Sequence, residues 1–194
     1  MGKTAVYRPV SWQPRLSSSL QWWPTLAGIG LAAFIALGAS SGRELAPILA
    51  ASGFVYLGAA ALQKPSAAWP LFFGTFVVIA VNRIGVAAID ATWVFLLLAV
   101  LLAAYGLSRG AVLPTAGLPL QTIAMAGFGA VAAAALNMAG DAAAYLVAAG
   151  LLGHAAWDVY HYWTNRVVVR SMAEFCAVLD TALAVAIVAA TARG

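Results

Sequence analysis

The stretch AAWPLFFGTFVVIAVNRIGVAAIDATWVFLLLAVLLAAYGL, residues 67–107, decides the fold class. Its 41 residues carry two charges, Arg83 and Asp90. As a single helix rising 1.5 Å per residue it would be roughly 60 Å long, twice the hydrocarbon thickness of a bilayer. It must fold back once. The polar pair Asn82-Arg83, followed by Gly85, marks the turn. Two membrane-spanning helices result, with Asp90 in the first turns of the second.

Working outward gives more runs of the same kind. Upstream, apolar segments cover about residues 23–39 and 45–62. They are broken by Ser40-Ser41-Gly42-Arg43-Glu44 and by Gln63-Lys64-Pro65-Ser66. Downstream, a loop from Ser108 through Pro114 leads into runs at about residues 118–138, 142–163 and 172–191, broken by Gly140-Asp141 and by residues 164–171. The expectation is an all-α membrane protein, a bundle of seven transmembrane helices. Several runs are near the short limit of about 17 residues for a span, so six spans plus a re-entrant piece is the alternative count. Residues 1–21 form a basic tail on the membrane surface, and residues 22–194 a single transmembrane domain.

The composition agrees. Hydrophobic residues make up 64% of the chain and charged residues 8%, against roughly 25% charged in soluble domains. The net charge of +4 is scattered between apolar runs rather than gathered in a stripe, which argues against nucleic-acid binding. Basic residues instead report orientation. With the N-terminus inside, Lys3, Arg8, Arg15, Lys64, Arg109, Arg166 and Arg170 are cytoplasmic, and Arg43, Arg83 and Arg193 are outside. The expected topology is therefore N-terminus cytoplasmic and C-terminus outside. The alanine-rich composition with arginine favoured over lysine fits the inner membrane of a bacterium.

The chemistry is concentrated in residues 153–180, GHAAWDVYHYWTNRVVVRSMAEFCAVLD. Both histidines of the chain, its single cysteine Cys176 and three of its six acidic residues lie here. His154, Asp158 and His161 stand at i, i+4 and i+7, within about 60° on one helical face. If the next helix runs back antiparallel, Asp180 returns to the depth of His154 near mid-bilayer. Glu174 returns to the depth of His161, where it can pair with His161 or Arg170. Ionisable groups at such depths are expensive and should face the bundle interior and one another.

The leading reading is a proton- or cation-linked site for handling a small solute, a transporter-like role. His154 and Asp180 would be the midplane pair, Asp158 the link to His161, and Glu174 would stand at the mouth. A second reading is a non-catalytic subunit of a larger membrane complex, binding lipid or pigment. A third is a metal-dependent hydrolase acting on a lipid-like substrate, with zinc held by His154, Asp158 and Asp180. The bland alternative is interhelical glue worth about 1 kcal/mol per contact. Membrane lipid, a larger complex or further copies of the chain are the expected partners.

Several classes are excluded. Neither lysine, Lys3 or Lys64, lies in a span, so a retinal Schiff base cannot form. No G-x-x-x-x-G-K-[ST] nucleotide loop occurs, and no G-x-S-x-G nucleophile elbow. Elsewhere, Arg83 and Asp90 are expected to pair across an outer turn. Asp141 is expected to cap the sixth helix. Asn137 is expected as a core amide. Small residues at four-residue spacing, Ala126, Ala130 and Ala134 with Gly129 and Ala133 on helix five and Ala149 and Gly153 on helix six, are expected to let these two helices pack closely.

Overall fold

The computed structural model describes residues 22–85, 89–112 and 117–193. Among them there are seven α-helices and no strand. They are α1 (Trp23–Gly38), α2 (Ala46–Ala61), α3 (Ala68–Arg83), α4 (Ala91–Ser108), α5 (Leu118–Leu136), α6 (Asp141–Thr164) and α7 (Arg170–Thr191). Six helical segments are long and apolar enough to cross a membrane; α1, at 16 residues, is shorter. The expected break in residues 67–107 falls at the C-terminus of α3, after Arg83. The basic tail expected over residues 1–21 lies outside the described residues.

α2 is the axis of the bundle. Fifteen of its 16 residues are buried. A helix apolar on every side belongs inside, and its Ala and Gly positions let neighbours approach closely. Gly53 faces Met125 of α5, and Gly58 faces Leu71 of α3. Around α2 stand α3, α4, α5 and α6. α6 and α7 form the most extensively packed pair, and α1 lies on the outside of α7.

The other helices leave large apolar side chains outside, including Phe73, Val77, Leu97 and Val100. In water this surface would be an aggregation hazard. In hydrocarbon it is the expected exterior, because a helix satisfies the backbone groups along its length internally.

Local chemistry departs from expectation at several positions. Arg83 does not reach Asp90. Its Nη2 lies 3.9 Å from Glu44 Oε2, and its Nη1 donates to the Gly38 carbonyl at 3.3 Å. Asp90 instead caps α4, accepting from the Thr92 amide at 2.8 Å. The turn after α3 directs Arg83 toward the α1–α2 connection, and the cap occupies Asp90. Asp141 is the first residue of α6, with Gly140 in the cap position and no side-chain cap bond. Asn137 is exposed and closes α5 by donating to the Ala133 carbonyl at 2.8 Å. Ala126, Ala130 and Ala134 are exposed. The buried stripe of α5 is Gln121, Met125, Gly129 and Ala132; of the two expected small-residue faces it takes in Gly129 and not Ala126, Ala130 and Ala134, because α5 must cover α2 as well as α6.

Candidate functional site

α6 and α7 are joined by a short connection starting at Asn165. Asn165 takes a left-handed conformation, φ 50° and ψ 47°, and its amide donates to the His161 carbonyl at 2.8 Å. Asparagine tolerates this geometry and ends helices with it. The helices then run back along each other. His154 lies ten residues before the end of α6, and Asp180 ten residues after the start of α7. Both are thus about 15 Å from the shared connection.

The two side chains meet. His154 Nδ1 lies 2.9 Å from Asp180 Oδ2 and 3.2 Å from Asp158 Oδ2. All three residues are completely buried. A carboxylate oxygen accepts, so Nδ1 carries its hydrogen toward the gap between the two acids. Asp158 has a further partner, Tyr56 on α2, whose hydroxyl donates to its Oδ1 at 2.5 Å. His154 Nε2 and Asp180 Oδ1 have no hydrogen-bond partner among the described residues. No lysine or arginine pairs with the trio among the described residues.

That inventory sets the electrostatic demand. With a neutral imidazole and both carboxylates ionised, the cluster would carry two negative charges in a fully buried site. An unpaired buried charge costs several kcal/mol or more. The site reaches neutrality by holding two protons or one divalent cation. One ligand atom from each of His154, Asp158 and Asp180 lies within 4.8 Å of the others, close enough for all three to hold a single ion. Three protein ligands leave a position for water in a tetrahedral site.

His161 belongs to a different network. Its Nδ1 lies 2.9 Å from the Trp157 carbonyl, which can only accept. Nδ1 therefore carries the hydrogen and Nε2 is the acceptor, facing the Gln121 amide nitrogen at 3.0 Å. The Gln121 oxygen accepts from the Trp157 indole at 3.2 Å. Both ring nitrogens are satisfied by neutral groups, and this fixes a neutral tautomer. The Tyr56 ring stands edge-on to both imidazoles, with centroids 5.3 Å from His154 and 4.9 Å from His161. The expected link from Asp158 to His161 is not a hydrogen bond; Asp158 spends its contacts on His154 and Tyr56.

Glu174 also stands apart. It accepts from Thr25 of α1 at 2.6 Å and pairs with neither His161 nor Arg170. The Arg170 guanidinium lies over the Tyr162 ring, 5.8 Å from its centroid. The structure thus brings His154, Asp158 and Asp180 together, and leaves His161, Glu174, Arg83 and Asp90 out.

Sequence reasoning missed Tyr56 and Gln121. Each had a weak signal. Tyr56 is the lone phenol of an otherwise almost wholly apolar helix, and Gln121 is the sole side-chain amide of α5.

Comparison of the chain with protein-family models, with curated proteins and with solved structures finds no match in any of the three.

Proposed function

We propose that this chain is a multi-pass membrane protein that binds positive charge, as protons or a cation, at the buried His154–Asp158–Asp180 cluster and couples that binding to the handling of a small solute. The observation that carries this reading is the charge deficit: two carboxylates and one imidazole, fully buried, with no lysine or arginine paired with them among the described residues. Ionisable groups inside a membrane-spanning bundle are costly and mark ion or proton pathways. The distribution of Lys and Arg supports a cytoplasmic-membrane location with the N-terminus inside.

The roles follow from the contacts. His154 and Asp180 form the exchanging pair. Asp158 is the second anion, held by Tyr56. His161 is a support rather than a relay, because its nitrogens are committed to neutral partners.

The test is reconstitution of the full chain in vesicles enclosing a pH-sensitive dye. An imposed cation or proton gradient should drive a dye response that is lost in His154→Ala and Asp180→Asn, with both variants inserting and remaining monodisperse. An equal response in wild type and both variants would sink the reading.

A second reading has its own observation. Three ligand atoms within 4.8 Å of one another suit a zinc site, and a metal-bound water would support hydrolysis of a lipid-like substrate. Stoichiometric metal in the purified protein, lost in Asp180→Asn, together with hydrolytic activity, would move that reading ahead.

A further inference from the structure

A cavity opens beside the cluster, between α1, α2, α3 and α7. α1 packs on α7, and α3 packs on α2. The two helices meet each other near their ends. At one end the Trp23 and Trp69 rings are 5.2 Å apart. At the other, Arg83 of α3 donates to the Gly38 carbonyl of α1. Between these two bridges lies a cavity of about 590 Å³, walled by α1, α2, α3 and α7. Its volume falls in the range of roughly 300–1,000 Å³ typical of small-molecule sites.

The lining is apolar over most of its length, with Phe72, Phe76, Ile79, Leu31, Ile35 and Leu179 prominent. From Phe72 to Arg83 it extends about 16 Å along α3, close to the depth of one bilayer leaflet. Charges occur at one end only, Arg83 and Glu44, both lining the cavity. Their ion pair is loose, at 3.9 Å, with each side chain about two-fifths exposed (43% and 42%). A guanidinium has five donors in a fork suited to phosphate, and the Glu44 carboxylate is anchored beside it by the Ser40 hydroxyl and amide.

We propose that this cavity is a binding site for a phospholipid of the zwitterionic aminophospholipid class. One acyl chain lies along α3 between the tryptophan pair and Ile79. The headgroup sits at the charged end, its phosphate on Arg83 and its ammonium on Glu44. Charge complementarity argues for that occupant. An anionic lipid without an amine would leave Glu44 facing a like charge, and a free fatty acid would use Arg83 alone. The inner wall includes Cys176 and Leu179 of α7 and Val55 of α2, next in sequence or one turn from Asp180 and Tyr56. An occupant therefore packs against the helices that carry the cluster, within one turn of Asp180 and Tyr56. The assignment does not depend on what the cluster binds.

The test uses the full chain purified in mild detergent. It is exposed to equal amounts of phosphatidylethanolamine and phosphatidylglycerol and examined by native mass spectrometry. Wild type should retain one phosphatidylethanolamine in preference to phosphatidylglycerol. Ala80→Trp fills the cavity from an exposed position of α3 and should abolish retention. Arg83→Gln removes the charged donor at the mouth, leaves the apolar lining intact, and should weaken retention about tenfold, the usual scale for losing a hydrogen bond to a charged group. Gel filtration of each variant checks that it is folded. Equal retention of the two lipids, or retention unchanged in Arg83→Gln, would overturn the assignment.

Discussion

His154 Nδ1 approaches Asp180 Oδ2 to 2.9 Å across the α6–α7 pair, with both side chains wholly buried. The contact bridges 26 residues of sequence and ties together the most closely packed helices of the bundle. Replacing Asp180 by Asn keeps its shape and removes its ability to carry charge. We expect Asp180→Asn to abolish cation or proton binding and to shift thermal unfolding in detergent only modestly. Asp180→Ala should also unfold more readily, by about 1–3 kcal/mol, because it leaves His154 Nδ1 with a single acid partner in a dry site. If Asp180→Asn binds as wild type does, the cluster is structural glue.

Tyr56→Phe isolates one hydrogen bond. The ring stays wedged between His154 and His161, while the 2.5 Å contact to Asp158 Oδ1 is lost. The expected cost is about 1–3 kcal/mol, since a buried carboxylate loses a donor. Cation affinity should change as well, because Asp158 is no longer held in place. A double-mutant comparison with Asp158→Asn checks this: the two substitutions should be strongly non-additive.

How much of this was legible in the sequence differs from residue to residue. The meeting of His154 and Asp180 follows from counting, since each lies ten residues from the connection between two antiparallel helices. The fold-back in residues 67–107 follows from length against bilayer thickness. The Tyr56–Asp158 contact spans 102 residues. Apolar runs that are hydrophobic on every side carry no periodicity to say which helix faces which. The same deficiency hid the centrality of α2 and left the packing face of α5 open between the Ala126 and Gly129 registers. Pairings of charges outside the cluster failed for another reason. Arg83, Asp90 and Glu174 each had several reachable partners; the turn after α3 carries Arg83 to Glu44, a helix cap takes Asp90, and Thr25 of α1 takes Glu174.

His161 separates a relay from a support. As a relay, it would be needed for binding or movement of charge. Its contacts to Trp157 and Gln121 say that its substitution should act on stability. We expect His161→Phe to destabilise the protein by about 1–3 kcal/mol, leaving the Gln121 amide and the Trp157 carbonyl short of a partner. Cation binding at the cluster should survive, measured on the folded fraction below the unfolding transition. Loss of binding without loss of stability would restore His161 to the pathway.

The α1–α7 contact rests on the absence of a side chain at Gly28. A Cβ there would lie 2.8 Å from the Phe175 carbonyl oxygen and 3.2 Å from Val178 side-chain atoms. The carbonyl is helix backbone and cannot turn aside as a leucine methyl can. Two effects oppose each other in Gly28→Ala. Helix propensity favours alanine by about 1 kcal/mol, and overpacking costs about 1–3 kcal/mol. The clash is with backbone, so the net sign should be destabilising. Gly30 provides the control, because a Cβ there meets nothing within 4 Å. Gly30→Ala should therefore be neutral or slightly stabilising. α1 also forms one wall of the lipid cavity, so Gly28→Ala should loosen that wall and reduce phospholipid retention, while Gly30→Ala leaves it unchanged. Thermal unfolding and native mass spectrometry of the two variants side by side check both halves of the prediction. Equal behaviour of the pair would mean that α1 is not held on α7 by this close approach.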